Sequence, residues 1–456
     1  MAQDKTEEID LIVNHPKKAI NKLALPIIIS NLFMMLNNII DGVWVAGLGP
    51  DALAAVGFVT PLFLAMVGFA NGLGAGSNSL IARYIGAEDY HMAGNSAIHS
   101  IILSVVVTVF ATTVMLIMLK PLLLIMGAGE VIDETMIYGS IVIGGIFSIF
   151  LPAMMAAIFR SQGEIKRASY PLLVTAVINM VLDPIFIYYF NLGVGGAAVA
   201  TVLSGTLPMF LMIYWMFYKR DSFLEVKLSE YKTDFGIFKD ILVVGIPASL
   251  EQFILSFVSI LMNYWLTILS GTIAVAAYSA TWRLVAMGMA PLIGIGMAAL
   301  TVGGAAYGAR NLENFKTALN YGVKLGLISS VVVCIFLFVF AEPLSFIFSY
   351  SNNAAILSAR VVDCLHILCF FLLLMPFGIL AGNLFQSMGK GTISLTLTFL
   401  RAFILEVIFS GLFAFVFNLA DIGIYIGMVV GMSIGCIFNY IYINFYLNRH
   451  KDYFTS

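Results

Sequence analysis

The sequence predicts an all-α polytopic membrane protein with twelve transmembrane helices in two pseudo-symmetric six-helix lobes. Three observations carry that prediction. Hydrophobic residues make up 61% of the 456 and charged residues only 11%, whereas an ordinary soluble domain is about 25% charged. Apolar runs near the roughly 20 residues a helix needs to cross a bilayer recur twelve times. The second half of the chain also repeats the first.

In chain order, a polar tail (1–19) precedes six runs at 20–43, 53–78, 93–119, 134–158, 168–190 and 195–217. These form the N-terminal lobe, 20–217. A charged break at 218–240 reads as a cytoplasmic linker with an amphipathic surface segment. Six more runs follow at 241–269, 275–302, 317–340, 361–386, 393–418 and 422–447, making the C-terminal lobe, 241–447, before a short tail at 448–456. Glycine-bearing connections such as Gly47 to Pro50 and Gly193 to Gly196 suit tight turns between antiparallel helices. Met1 to Ile12 is polar and acidic, so no cleavable signal is expected.

With the N-terminus inside, nineteen of the 23 lysines and arginines fall on inner segments. Positive charge stays on the cytoplasmic side. The expectation is a multi-pass cell-membrane protein with both termini cytoplasmic, surrounded by lipid bilayer, and monomeric. A net charge of -2 without a basic cluster gives no nucleic-acid partner. Cys334, Cys364, Cys369 and Cys436 lie at unrelated spacings in apolar runs, which implies neither a disulfide framework nor a cysteine metal site. His99 and His366 have no carboxylate or second histidine at ligand spacing.

The repeat is visible residue by residue. Leu25-Pro26 matches Ile246-Pro247, Gly86-Ala87 matches Gly308-Ala309, and Phe190-Asn191-Leu192 matches Phe417-Asn418-Leu419. Phe159 to Gly163 matches Phe385 to Gly389. The offset drifts only from 221 to 227. Six helices per half place both halves in the membrane from the same side, the parallel repeat of many secondary transporters. Duplicated lobes favour alternating access over a receptor or channel.

The fifth run holds the chemistry. Asp183 sits in the middle of a lipid-length segment, where a charge costs about 2.5–3.5 kcal/mol on insertion scales. Asn179 precedes it by four residues and shares its helix face. Pro184 removes a backbone donor and loosens the turn before it. A carboxylate, an amide and a free carbonyl at one depth read as a cation or proton site. Asp41, in the first run, is a second intramembrane carboxylate, functional by default.

Further residues carry a family resemblance. Asp41 to Gly49 followed by Leu53-Ala54-Ala55-Val56-Gly57 resembles the first-helix signature of the multidrug and toxic compound extrusion (MATE) family. Ala82 to Ala87, Asn179 to Phe186 and Ala305 to Asn311 extend it, and the likeness spans about 17 to 447, closest to the DinF-like prokaryotic and archaeal branch. It implies the MATE fold and an exporter, not an enzyme. Such an antiporter exchanges H+ or Na+ for amphipathic, often cationic organic compounds by alternating access, with no cofactor beyond the coupling ion. The branch's coupling site falls on Asp41, Asp183, Asn179 and Thr201. Tyr138 sits where the branch often has a polar aromatic facing the same cavity.

Elementary chemistry agrees with this assignment. Two carboxylates in one low-dielectric pocket repel each other, which suits a group that loads and releases a proton. The oxygens of Asp41, Asn179, Asp183 and Thr201 also suit a hard metal ion if Na+ is the coupling ion. Asn37 and Asn38 precede Asp41 by four and three residues, so one or both share its face. Asn38 is the stronger candidate for lining the cavity, and interhelical hydrogen bonding is the alternative for both.

By the repeat, Met262 replaces Asp41, Glu406 replaces Asn179 and Ser410 replaces Asp183, so the acid pair is not duplicated. Glu251, Arg283, Arg401 and Glu406 are the second lobe's intramembrane charges. Buried ion pairs are the expected arrangement, Glu251 with Arg283 or Arg401 with Glu406. The 23 methionines and 36 phenylalanines supply adaptable apolar surface for cargo, although they are also ordinary membrane-protein material. Two other functions fit the sequence less well. A lipid-linked oligosaccharide flippase of the related superfamily calls for more cavity cations than Arg283 and Arg401. An intramembrane aspartyl hydrolase leaves the duplication unexplained.

Overall fold

The structure, a computed structural model, describes residues 2–219, 222–224, 231–346 and 354–455. Ten helices among the described residues are long and apolar enough to cross a bilayer, and a pair bent by 45° supplies an eleventh. One of the ten, Phe235–Gly308, runs 74 residues and breaks at Gly271 (φ 74°), so it counts as two spans. The total is twelve, as predicted.

The first half contains α1 (Ala2–Asn14), α2 (Pro16–Ala46), α3 (Pro50–Gly86), α4 (Tyr90–Ile125), α5 (Ile132–Gly144), α6 (Phe147–Ser161), α7 (Ile165–Pro184) and α8 (Gly193–Ile213). The second contains α9 (Phe235–Gly308), α10 (Leu312–Val339), α11 (Ala341–Phe346), α12 (Ala354–Leu368), α13 (Met375–Ser387), α14 (Gly391–Thr398), α15 (Glu406–Gly411), α16 (Ala420–Arg449) and α17 (Asp452–Thr455). The fourth predicted span is therefore not continuous. It breaks between α5 and α6 at Gly145, where a Cβ would lie 2.6 Å from Val202 Cγ1. The tenth span breaks likewise between α12 and α13.

The repeat extends to backbone detail. Left-handed residues recur at separations of 222 to 227: Gly49 and Gly271, Glu88 and Arg310, Gly163 and Gly389, and Asn191 and Asn418, the last two both at φ 54°. Asp89 and Asn311 cap α4 and α10, accepting N–H bonds from Met92 at 3.0 Å and Asn314 at 2.9 Å. Short asparagine and aspartate side chains satisfy a helix's first N–H groups. A π-helical turn occupies Ile185–Tyr189 in one half and Leu412–Val416 in the other. One template was used twice.

The chain folds into two compact units, Met1–Ile12 with Ile29–Ser249, and Val13–Ile28 with Leu250–Ser456. The sequence-predicted lobes, 20–217 and 241–447, do not contain this exchange of helix beginnings. In the first unit Gly72 admits Ser249, since a Cβ there would lie 2.5 Å from the Ser249 nitrogen. In the second, Gly294 admits Ile28, with a hypothetical Cβ 2.6 Å from Cγ1. Pro26 and Pro247 each stand two residues before the exchange. Each unit has its own apolar core, around Leu119, Leu123 and Phe150 in the first and Met262, Leu368 and Met432 in the second. Large apolar side chains also point outward, with Phe110 70% and Ile117 64% exposed on α4. That surface is made for lipid.

The ends of the first unit are more ordered than a polar tail and loose linker. The predicted tail is helical from Ala2 to Asn14, and Ile12 is buried beside Gly163. Glu164 Oε1 accepts the Phe223 N–H at 3.0 Å, and Gln162 Oε1 accepts the Leu224 N–H at 3.0 Å. Of the expected amphipathic linker segment, 220–221 and 225–230 lie outside the described residues. His99 has a structural place. The Asp234 N–H donates to its Nε2 at 2.9 Å, so Nδ1 carries the proton and donates to Asn95 O at 2.8 Å. This neutral imidazole ties the start of α9 to α4.

Candidate functional site

The site is built on α2 and α7 in the first unit. The α-helix holding Asp183 ends at Pro184, and the backbone passes into the π-helical turn Ile185–Tyr189, as it does after Gly411 in the second half. The loosened backbone expected before Pro184 is thus a wide turn after it, closed by Phe190 N–H donating to Ile185 O at 2.9 Å.

A directed hydrogen-bond chain joins the two helices. Asn37 Nδ2 donates to Asn179 Oδ1 at 2.8 Å, and Asn179 Nδ2 donates to Asp183 Oδ1 at 3.0 Å. Asn37, Asn179 and Asp183 are all buried, Asp183 fully. Sharing a face at i and i+4 makes the second bond possible. The register of α2 against α7 makes the first, and no sequence spacing contains it.

Asp41 completes the constellation. Its carboxyl lies near enough to the Asp183 carboxyl for the two to interact directly. Asp41 Oδ1 and Asp183 Oδ2 are both buried, and among the described residues neither accepts a bond from an N–H or O–H. Ionised carboxylates only accept, so two that interact in a buried pocket repel each other, and a shared proton or cation relieves that repulsion. Buried polar atoms are rarely left without partners.

Not every predicted member joins this chain. Tyr138 of α5 is buried within electrostatic range of both carboxyls but donates to neither among the described hydrogen bonds. Thr201 of α8 donates its proton to Ala197 O at 3.0 Å, within its own helix. Only its lone pairs remain for a cation. Asn37 forms the link, the interhelical hydrogen bond expected as its alternative role, while Asn38 is exposed and takes no part in the chain. One residue step turns a helical side chain by about 100°, and only packing decides which asparagine faces inward.

The second unit departs from the expected ion pairs. Arg283 is exposed, and no described ion pair joins it to Glu251. Instead Glu251 Oε1 accepts from the Ser394 hydroxyl at 2.7 Å and from Gln386 Nε2 at 3.2 Å. Arg401 and Glu406 are buried, yet Arg401 Nη1 meets sulfurs, Met432 Sδ at 3.4 Å and Cys436 Sγ at 3.9 Å, and its Nε has no partner. Arg401 is the nearby positive charge for both Glu251 and Glu406 without pairing directly with either. Five residues separate Arg401 from Glu406, so the two leave the helix in different directions. Gln386 and Ser394 were not expected at a functional cluster. The repeat, which aligns Gln386 with Arg160, was the available signal. Arg360 does pair, with Asp421 of α16.

Comparison with known proteins places the chain. The family model described as MatE matches residues 26–185 and 247–412, the two halves of the repeat. A probable multidrug resistance protein of Bacillus subtilis, YoeA, is 27% identical over 363 residues, 76% of each chain. A solved structure of MATE in complex with MaL6 is 36% identical, with a TM-score of 0.95 over 97% of this chain and 99% of that one. A MOP superfamily transporter from Pyrococcus furiosus is also 36% identical, with a TM-score of 0.94 over 96% and 98%. Its solved structure is described as having a binding pocket of reverse polarity that suggests a different function.

Proposed function

The chain belongs to the MatE family, and on that premise we propose that it is a secondary active multidrug exporter working by alternating access. It exchanges H+ or Na+ for amphipathic, often cationic organic compounds across the cell membrane, with both termini cytoplasmic. The naming of YoeA as a probable multidrug resistance protein supports the cargo class. One observation carries the coupling: two adjacent carboxyls, each with a buried oxygen that no donor among the described residues satisfies.

The chemistry follows from charge. With a proton or cation loaded, Asp41 and Asp183 hold α2 and α7 together. On release the two carboxylates repel, and the Asn37–Asn179–Asp183 chain is the contact that must adjust. A ligand shifts a conformational equilibrium only by its differential affinity for the two states, and this pair supplies such a difference. The neutral oxygens of Asn179 and Thr201 extend the site toward a hard cation.

The test is counter-transport in proteoliposomes loaded with a fluorescent organic cation, with pH and Na+ gradients imposed separately. Efflux driven by one gradient names the ion, and Asp41→Asn and Asp183→Asn each abolish it while the protein stays monodisperse. Full cation-driven efflux by both variants overturns the assignment. If neither gradient moves any of several organic cations, the cargo is of another class.

A further inference from the structure

We propose that Tyr188 is a positioning residue for the carboxyl pair: its hydroxyl holds the C-terminal end of α2 against the turn that follows Asp183. The inference rests on the coupling role of Asp41 and Asp183 given above.

The geometry runs through the π-helical turn. After Pro184 the turn Ile185–Tyr189 brings the Tyr188 side chain to α2, where its hydroxyl donates to Trp44 O at 2.6 Å. Trp44 is three residues beyond Asp41, on the adjacent turn of the same helix face. α2 ends at Ala46, so Trp44 O accepts only the Gly47 N–H, at 3.2 Å and shared with Val43 O, and keeps a lone pair for the tyrosine. The space for the hydroxyl comes from Gly47, where a Cβ would overlap the Tyr188 oxygen. The rings of Trp44 and Tyr188 also pack edge to face, 6.2 Å apart at 69°. Asp41 and Asp183 are thus bracketed by two contacts between α2 and the α7 segment. Asn37–Asn179 lies on one side and Trp44–Tyr188 on the other.

The molecule contains its own control. At the repeat offset, Trp265 stands for Trp44 and Phe415 for Tyr188, and their rings meet edge to face at 5.4 Å and 86°. The π-helical turn is the same, Leu412–Val416. What the second copy lacks is the hydroxyl, and it also lacks the acids, with Met262 and Ser410 in their places. The aromatic packing belongs to the fold, while the hydroxyl accompanies the carboxyl pair. A Tyr–carbonyl bond is unnecessary for the turn itself, since the second copy forms the turn without one.

Tyr188→Phe removes only the hydroxyl. In proteoliposomes the cation concentration giving half-maximal efflux shifts roughly three- to tenfold, the scale of one hydrogen bond inside a membrane protein, while the melting temperature and the maximal rate stay near wild type. Gly47→Ala, which displaces the same hydroxyl, shifts the profile in the same direction. Phe415→Leu, which perturbs the matching packing in the second copy, leaves it unmoved. A second readout needs no transport. The rate of Asp41 and Asp183 modification by a hydrophobic carbodiimide in detergent changes several-fold in Tyr188→Phe and not in Phe415→Leu. An unshifted cation profile together with unchanged carbodiimide labelling overturns the inference. If Asp41→Asn and Asp183→Asn both keep full cation-driven efflux, the coupling assignment itself falls. If Asp41→Asn loses it and Tyr188→Phe is unaltered, only the positioning role falls.

Discussion

The two halves of this chain share a backbone and differ in what fills it. Where the first has Asn37, Asp41, Asn179, Asp183 and Thr201, the repeat offset places Val258, Met262, Glu406, Ser410 and Met428 in the second. Val258, Met262 and Met428 are buried in the second unit's apolar core. The following helices differ as well. Along α16 a glycine recurs every four residues, at Gly423, Gly427, Gly431 and Gly435, and a Cβ at Gly431 or Gly435 would lie 2.6–2.8 Å from the backbone or side chain of Glu406 or Arg401. The matching positions on α8 are Gly196, Ala200, Ser204 and Pro208. Close backbone contact through small residues is how helices associate tightly in lipid. The second half is zipped along its last two spans, while the first keeps room for polar groups. Duplication supplied a symmetric frame, and divergence left the carboxyl pair in one copy.

Four substitutions sharpen or break that comparison. The largest effect is expected from Arg401→Leu, which leaves Glu251 and Glu406 buried without their shared positive charge. Losing one partner of a buried charge group costs about 3–5 kcal/mol, and thermal melting in detergent reads it as a large drop. A variant as stable as wild type would show that this cluster is electrostatically idle.

Next is Gly427→Ala, whose new Cβ would collide with the Ser410 backbone. Overpacking of this kind costs about 1–3 kcal/mol. The first half already carries alanine at the matching residue, and Ala200→Gly there costs at most about 1 kcal/mol. Equal effects of the two on melting would refute the zipped and open distinction.

Asn37→Val removes the link to Asn179 and leaves its carbonyl without a donor, a loss of about 1–2 kcal/mol together with an altered cation dependence of efflux. Asn38→Val, on the exposed side, changes neither. An altered cation dependence in Asn38→Val would make Asn38 the cavity-lining residue expected from the sequence.

The smallest effect belongs to Thr201→Val. Its hydroxyl donates to its own helix, so proton-driven efflux changes little, within about 0.5 kcal/mol of wild type. If Na+ is the driving ion, the lost oxygen ligand raises the Na+ requirement instead. The two outcomes distinguish the ions.

Much of this was readable before any coordinates. Twelve spans, the duplication and the singular acid pair follow from local properties. Apolar length is a property of a segment, offsets are a property of the string, and an aspartate in lipid is conspicuous wherever it lies. Even the helix caps at Asp89 and Asn311 and the left-handed asparagines at 191 and 418 belong to short-range chemistry that a sequence carries in place.

Contacts across helices are another matter, because the rotation and register of each helix are set by packing against its neighbours. The sequence placed Asn37 and Asn38 on adjacent sectors, and only the seating of α2 on α7 turned Asn37 inward. It showed four charges in the second half, and only the fold separated Arg283 from Glu251 and gave Glu251 to Ser394 and Gln386. Tyr188 was one tyrosine among 19 until the turn after Pro184 carried its hydroxyl to Trp44. The chain by itself determined that a charge would be kept in the membrane and in which half. Tertiary structure decided which side chains hold it, because a hydrogen bond between helices depends on an angle that neither helix specifies alone.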